Sequence, residues 1–299
     1  MRLLAAAPRA LTPLALAAAA LALVVPSGAL ARHSDLLLAL LVLATALGIS
    51  AADLTRLRAH VSSVALLSVL PLIVLAALAW LIGRAFDPDV RDGLLAVGLS
   101  SSEVACVGLV ALAGADATIA LGAVTGSLVL AALLGPVAIG VLAGHASHGG
   151  TGHLLGRFAL VVIAPLIAGS LIRTIAPGIA AVDREREGVA ALTVAVLVYA
   201  ALSGTAGAHG LAAALLAALV FLLVSALLGE LWRRHTAPGA VAVPGALAIG
   251  MRDFAVAAAL AAQAFGPRAA AVPGVYGVVM LVGGAVTAGR LSAARRPAP

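Results

Sequence analysis

The chain has 299 residues, 63% hydrophobic and 10% charged, with a mean hydropathy of +1.18. Soluble domains carry about 25% charged residues, so this composition excludes a water-soluble enzyme, and ten spans of about 22 residues would leave no length for large aqueous domains. The net charge of +6 comes from 18 arginines and no lysine, most of them beside apolar runs, where they orient a membrane protein rather than mark a nucleic-acid partner.

From the N-terminus, Arg2 and Arg9 precede an apolar run at 11–30. Ala29-Leu30-Ala31 has the small-x-small form of a secretory cleavage site, but the run is long for a signal core, and retaining it gives an even number of spans. The second run, 36–52, is short and leads into Asp53, Arg56, Arg58 and His60, a stretch expected to lie along the interface. Runs at 61–82, 93–113 and 117–143 follow. After a linker at 144–153, rich in Gly and His, come 154–175, 188–206, 210–231, 241–264 and 271–291. With the N-terminus inside, twelve arginines fall on inner segments and five on outer ones, which places both termini in the cytoplasm of a cell whose inner (plasma) membrane holds the chain. Trp80 and Trp232 fall at span ends, as interfacial aromatics do.

The expected fold is therefore an all-α polytopic membrane protein of ten transmembrane helices. Five spans lie in 11–143 and five in 154–291, and an odd number inverts the second set relative to the first, the arithmetic of an inverted repeat. An offset of 150 residues lays Glu103-Val104-Ala105 in the fourth span over Asp253-Phe254-Ala255 in the ninth. These are the two acids in the middle of the spans as delimited.

Glu103, Arg252 and Asp253 each cost about 2.5–3.5 kcal/mol to insert in hydrocarbon, and such residues face the protein interior or water. A Glu103–Arg252 pair could serve only to hold the two halves together. Three charges, however, leave one carboxylate over, which suits a cation or a proton. Gly98-Leu99-Ser100-Ser101-Ser102-Glu103 and Gly245 through Gly250-Met251-Arg252-Asp253 look like places where a helix unwinds, because glycine permits non-helical backbone and serine hydroxyls take up freed backbone groups. Unwound carbonyls with a carboxylate make a hard oxygen site, so Ser100, Ser101, Ser102, Glu103, Gly250, Met251 and Asp253 are the candidate cation or proton site. Arg252 is the candidate anchor for an anionic substrate. Gly126, Gly135, Gly283 and Gly284 are read as packing residues.

The order of spans, Val25-Pro26, Ala113-Gly114-Ala115-Asp116, Ala164-Pro165-Leu166-Ile167-Ala168-Gly169 and Gly250-Met251-Arg252-Asp253 resemble the bile acid:sodium symporter family. The resemblance implies two inverted five-helix repeats, a panel and a core domain, broken fourth and ninth helices that cross at the site, and organic-anion substrates. It also implies hydroxyl ligands on the fifth span, where Thr118, Thr125 and Ser127 sit. The family's ninth-span motif looks like Glu-x-Gly-x-Gln-Asn, whereas this chain reads Ala248-Ile249-Gly250-Met251-Arg252-Asp253, and a usual Ser-Asn pair falls near Cys106-Val107. Most sodium ligands of that pattern are absent. Arg252 can then occupy a cation position with its own charge.

The expected function is a secondary transporter of small organic anions, coupled to sodium or protons by alternating access. No cofactor is expected beyond a bound Na+, and the partners are the substrate and the lipid bilayer. An arsenite-type permease using Cys106 and a non-transporting protein with structural charges are the alternatives. No nucleotide-binding Gly-rich loop with Lys is present, so the sequence requires no ATPase subunit, and no enzymatic activity is expected. His145, His148 and His153 lack carboxylate partners and read as solvated. Cys106 is expected to be a dispensable apolar filler, and Tyr199 and Tyr276 packing residues.

Overall fold

A computed structural model describes residues 11–27, 30, 33–49, 55–144, 150–176, 178, 183–203, 210–236 and 241–294. The regular elements among them are all helices: α1 (Leu11–Val24), α2 (Ser34–Ala46), α3 (Val61–Gly83), α4 (Pro88–Leu99), α5 (Ala105–Leu112), α6 (Ala117–Leu142), α7 (Gly150–Ile175), α8 (Asp183–Ser203), α9 (Leu211–His235), α10 (Ala242–Gly250), α11 (Phe254–Phe265) and α12 (Pro267–Ala294). Each apolar run of the sequence meets a helix, and two of them, 93–113 and 241–264, meet a pair of shorter ones.

Among the described residues, Thr55–Gly83, Ala117–Leu142, Gly150–Ile175 and Leu211–His235 are long and apolar enough to cross a membrane. Their outward faces carry large apolar side chains such as Ile73, Val141, Leu160 and Leu223, as a helix in contact with lipid requires. The chain is an all-helical membrane protein.

Local chemistry explains where the helices start and stop. Asp87 accepts from the Val90 N–H and is followed by Pro88, whose missing N–H costs nothing at the first helical position. Asp116 caps α6 through the Thr118 N–H at 2.8 Å, one residue after the turn in which Gly114 takes φ +61 to end α5. Within α7 the stretch Ala159–Ile163 widens into a π-turn just ahead of Pro165. A proline ring clashes with the carbonyl four residues back, and the wider turn relieves that clash. Arg186 on α8 donates to the Ala44 carbonyl at 3.0 Å, placing a cation on the C-terminal end of α2.

Three boundaries differ from the sequence reading. Helical backbone begins at Thr55 and runs through a 3-10 turn at Arg58–His60 into α3, because no proline or glycine interrupts that stretch. The fourth span starts at Pro88 rather than 93, which brings Asp92 into it as a buried acid with Arg91 Nε at 3.2 Å. Helix α7 begins at Gly150, so the C-terminal part of the expected linker is helical and carries His153, while His145 and His148 lie outside the described residues.

Helices α1, α2, α7 and α8 pack largely on one another, as do α3, α4, α5 and α6 with α9, α10, α11 and α12. The two groups meet where α8 lies against α12 and α7 against α6. Within the second group α4 comes so near α12 that a Cβ on Gly93 would collide with the Ala269 carbonyl. That close approach fixes where the interrupted helices sit.

Candidate functional site

The site begins with two failures of helical bonding. Helix α4 ends at Leu99 because Ser100 turns to extended backbone (ψ 169°), and α10 ends at Gly250 because Met251 does the same (φ −123°, ψ 117°). Helical backbone resumes at Ala105 and at Phe254. Each interruption frees N–H and C=O groups that need partners away from water.

The two interruptions supply each other. Ser102 and Arg252 form an antiparallel bridge; the Glu103 N–H donates to the Met251 carbonyl at 3.1 Å, and the Asp253 N–H to the Ser101 carbonyl at 2.8 Å. The broken stretches therefore cross and pair backbone to backbone.

Side chains complete the bonding. The Ser102 hydroxyl donates to the Ala248 carbonyl at 3.0 Å, filling the place of the Arg252 N–H, which an unbroken helix would have supplied. The Arg252 N–H goes instead to the Tyr276 hydroxyl at 3.1 Å, and the Ser102 N–H to the Ser127 hydroxyl at 3.0 Å. Ser100 bonds back to Val97, and the Ser225 hydroxyl reaches the Gly250 carbonyl at 3.5 Å.

Asp253 is committed to local structure. Its Oδ1 accepts from the Ala255 and Val256 N–H groups, capping α11, and its Oδ2 lies 3.5 Å from the Ser101 hydroxyl. The Glu103 carboxylate faces the backbone N–H groups of Ala105, Phe254 and Val104, and its charge acts on Asp253. Its Oε2 is buried and accepts no hydrogen bond.

Arg252 is the largest fully buried side chain, at 0% exposure, and none of its three guanidinium nitrogens has a hydrogen-bond partner among the described residues. No ion pair joins it to Glu103. The charge of Asp253, its neighbour in the chain, acts on the guanidinium. A guanidinium carries five N–H donors, and burial without an acceptor is costly, so this one calls for an anion.

The crossing thus brings together Ser100, Ser101, Ser102, Glu103, Gly250, Met251, Arg252, Asp253 and Ser127. It does not bring in Thr125, which is half-buried and about 200° round α6 from Ser127. Thr118 lies at the start of α6, where its N–H is capped by Asp116. Tyr276, read in the sequence as a packing residue, also bonds the Arg252 backbone. Tyr276 is fully buried, edge-on to Phe221 at 5.9 Å between ring centroids. Cys106, also fully buried, stands on the first turn of α5, its N–H bonded to the Glu103 carbonyl. Among the described residues no group of three or more His, Cys, Asp and Glu side chains is arranged to hold a metal ion.

A polar contact lies between the two helix groups. The Gln263 amide donates to Asp35 Oδ1 at 2.6 Å, and the Arg157 guanidinium pairs with Asp35 Oδ2. This joins α2 and α7 to the end of α11.

No curated protein matches the chain. The family model of the SBF-like CPA transporter family matches residues 14–233, which includes the first interruption and ends before the second. A match over this share of the chain, on an all-helical membrane protein with an interrupted helix at its centre, makes the chain a member of the SBF-like CPA transporter family, which is bile acid:sodium symporter-like.

Proposed function

We propose that the protein is a secondary active transporter of small organic anions, coupled to a monovalent cation, sodium or a proton, by alternating access. The observation that carries this reading is the Arg252 guanidinium, fully buried at the crossing of two interrupted helices and without a hydrogen-bond acceptor among the described residues. A buried cation of that kind is destabilising unless an anion binds it during the working cycle.

In this reading the ten apolar runs are ten spans, in two inverted sets at 11–143 and 154–291. The bonds at the crossing support the inversion: the offset of 150 converts the Glu103–Met251 pair into the Asp253–Ser101 pair. Helices α1, α2, α7 and α8 form a panel against which the remaining helices rock, closing the site to one side of the membrane and opening it to the other. Both termini are cytoplasmic.

Charge supplies the reason for coupling. With Glu103 and Asp253 ionised and Arg252 protonated, the site carries a net charge of minus one, and a bound monoanion makes it minus two. One sodium ion or one proton reduces that charge and lowers the cost of moving the occupied core through a low-dielectric barrier. Glu103 Oε2 is the oxygen that accepts nothing else, and it is the place where the cation or proton acts.

The test is uptake of small carboxylates and sulfonates into proteoliposomes, with sodium and proton gradients imposed separately. Glu103→Gln keeps the shape and removes one ionisable group, so accumulation driven by the gradient is lost while exchange persists. Asp253→Asn is the companion variant. Unchanged accumulation in both would return the carboxylates to a purely structural role, and no uptake under any gradient would reject the transporter reading.

A further inference from the structure

We propose that the cleft between α3, α9 and α10 holds an acyl chain of a membrane phospholipid whose anionic headgroup rests on Arg234 and His235. The inference goes beyond the transport reading and does not depend on it.

The cleft has a volume of about 340 Å3, within the range of about 300–1,000 Å3 usual for ligand pockets. Its α9 wall is a single helical stripe, Leu228, Leu231, Trp232 and His235, spaced i, i+3, i+4, i+7. Along that stripe the wall passes from aliphatic to aromatic to an imidazole at the end of the helix. Leu70 and Val74 of α3 and Leu231 form an exposed rim on the outward apolar faces of two spanning helices. The mouth therefore opens on lipid.

The occupant must be apolar over most of its length and anionic at one end. Apart from Trp232 and His235 the walls are aliphatic, whereas Arg233, Arg234 and His235 close the last turn of α9. Glu230 meets both arginines: Arg233 holds it with two nitrogens and Arg234 with Nε alone. One carboxylate against two guanidinium groups leaves a positive charge over. Arg234, 69% exposed, has its terminal nitrogens clear of Glu230 and stands next to His235 in the chain. A phosphodiester supplies anionic oxygens for that guanidinium and for an imidazole N–H, which the ring offers whether charged or neutral. Trp232 carries the amphipathic ring that sits at headgroup level, and basic residues between helices at that depth collect acidic headgroups. A soluble anion would leave the apolar cleft empty, and an uncharged chain would leave the cations unmatched.

The cleft also reaches the crossing. Ile249, next to last in α10, forms part of its wall, as does Leu75. The Leu75 carbonyl lies against Gly98, two residues ahead of the break at Ser100. A seated chain thus touches one interrupted helix directly and the other through Leu75, and it resists rearrangement of the crossing.

The test uses the purified full-length protein in an uncharged detergent. Phosphatidylglycerol is the probe, phosphatidylcholine with the same chains the comparison without net charge, and glycerol 3-phosphate the headgroup without chains. Retained lipid is read by native mass spectrometry, and amide hydrogen exchange is followed across 248–253. Phosphatidylglycerol is expected to be retained and to slow exchange at least about threefold, and the other two to do neither. Combining Arg234→Gln with His235→Gln weakens retention about five- to thirtyfold, at about fivefold for each cation near a lipid headgroup. Val74→Trp fills the mouth, leaves the charges in place and abolishes the slowing. Arg84→Gln, at the other end of α3 over the Trp80 ring, changes neither.

Equal retention of phosphatidylcholine would overturn the site, as would phosphatidylglycerol retention undiminished in either the charge variant or Val74→Trp. A lipid-free dimer that Val74→Trp dissociates would make the cleft a contact between copies and overturn it too. Retention with the expected dependence on both variants, but with unchanged exchange, upholds the lipid site and rejects its hold on the crossing. Uptake in proteoliposomes of phosphatidylcholine alone tests the transport reading separately.

Discussion

Ser102 and Arg252, one from each interrupted helix, face each other as the two halves of an antiparallel bridge, and each sends its own N–H outward to a hydroxyl. In such a pair the inter-strand bonds lie on either side, so the N–H groups of the paired residues point away from the partner chain. Those two outward donors are met by Ser127, 25 residues beyond Ser102, and by Tyr276, 24 residues beyond Arg252. The crossing therefore repeats the same solution twice, once in each half of the chain. It keeps non-helical backbone satisfied inside a membrane protein, which is the condition for such backbone to exist there.

This arrangement makes Ser127 an acceptor that cannot be spared. Its hydroxyl accepts from Ser102 and donates to the Val124 carbonyl, at 0% exposure. Ser127→Ala leaves the Ser102 N–H buried without a partner and is expected to cost about 1–3 kcal/mol. Ser170, whose hydroxyl bonds only back to Leu166 in its own helix, is the control; Ser170→Ala should stay within about 0.5 kcal/mol. Unfolding in detergent compares the two. Equal effects would mean that another group takes over from the Ser127 hydroxyl.

Arg252 has the opposite relation to stability. Its guanidinium is buried and without a hydrogen-bond acceptor, and replacing a poorly satisfied buried charge by an apolar side chain of similar length is often neutral or stabilising by about 1–4 kcal/mol. Arg252→Met is expected to raise the unfolding midpoint of the substrate-free protein while abolishing uptake. A lowered midpoint would show that the guanidinium holds the crossing together and is not kept for a ligand.

Much of this was legible in the sequence. Glu103 and Asp253 stand 150 residues apart behind runs of Ser and Gly, and glycine, serine and an acid together in an apolar run mark broken helix because nothing else stabilises freed backbone there. Tyr276 was not legible. Its hydroxyl reaches Arg252 across the packing of α12 on α9 and α11, and no periodicity of α12 announces which of its side chains faces a break. Asp92 was hidden for a simpler reason: the apolar run was read from 93, one residue after it. The Asp87-Pro88 cap that starts the helix earlier is a local signal that hydropathy alone passes over.

The glycines show the same limit. Gly135 reads as a packing residue in the sequence, yet a Cβ there would meet Leu260 Cδ2 at 3.4 Å, an ordinary contact. At Gly98, on α4 just before the break, a Cβ would lie 2.5 Å from the Leu75 carbonyl oxygen of α3. Gly98→Ala must push α3 and α4 apart and is expected to cost about 1–3 kcal/mol, as overpacking does. Gly135→Ala should be neutral or stabilising by up to about 1 kcal/mol, since it removes unfolded-state freedom at no steric cost. Paired unfolding measurements decide, and a Gly98→Ala variant as stable as Gly135→Ala would show that the two helices can separate freely.

The contact between Asp35 and Gln263 is expected to regulate how often the two helix groups part. The Arg157 side chain is 45% exposed, so its pair with Asp35 alone is worth no more than about 1 kcal/mol. The bond from Gln263 is the stronger link because it is part-buried, and it ties the first turn of α2 to the last turn of the second half-helix, α11. Gln263→Glu replaces a donor by a second carboxylate facing Asp35, and one exposed arginine cannot neutralise both. The groups should then part more often, read as several-fold faster alkylation of the fully buried Cys106. Adding Asp35→Asn to Gln263→Glu exchanges the roles of donor and acceptor and leaves Arg157 a carboxylate to pair with, so the double variant should alkylate at close to the parental rate. That recovery separates a specific contact from a loss of charge. If Gln263→Glu leaves the alkylation rate unchanged, or if the double variant stays fast, the link between α2 and α11 does not hold the closed state.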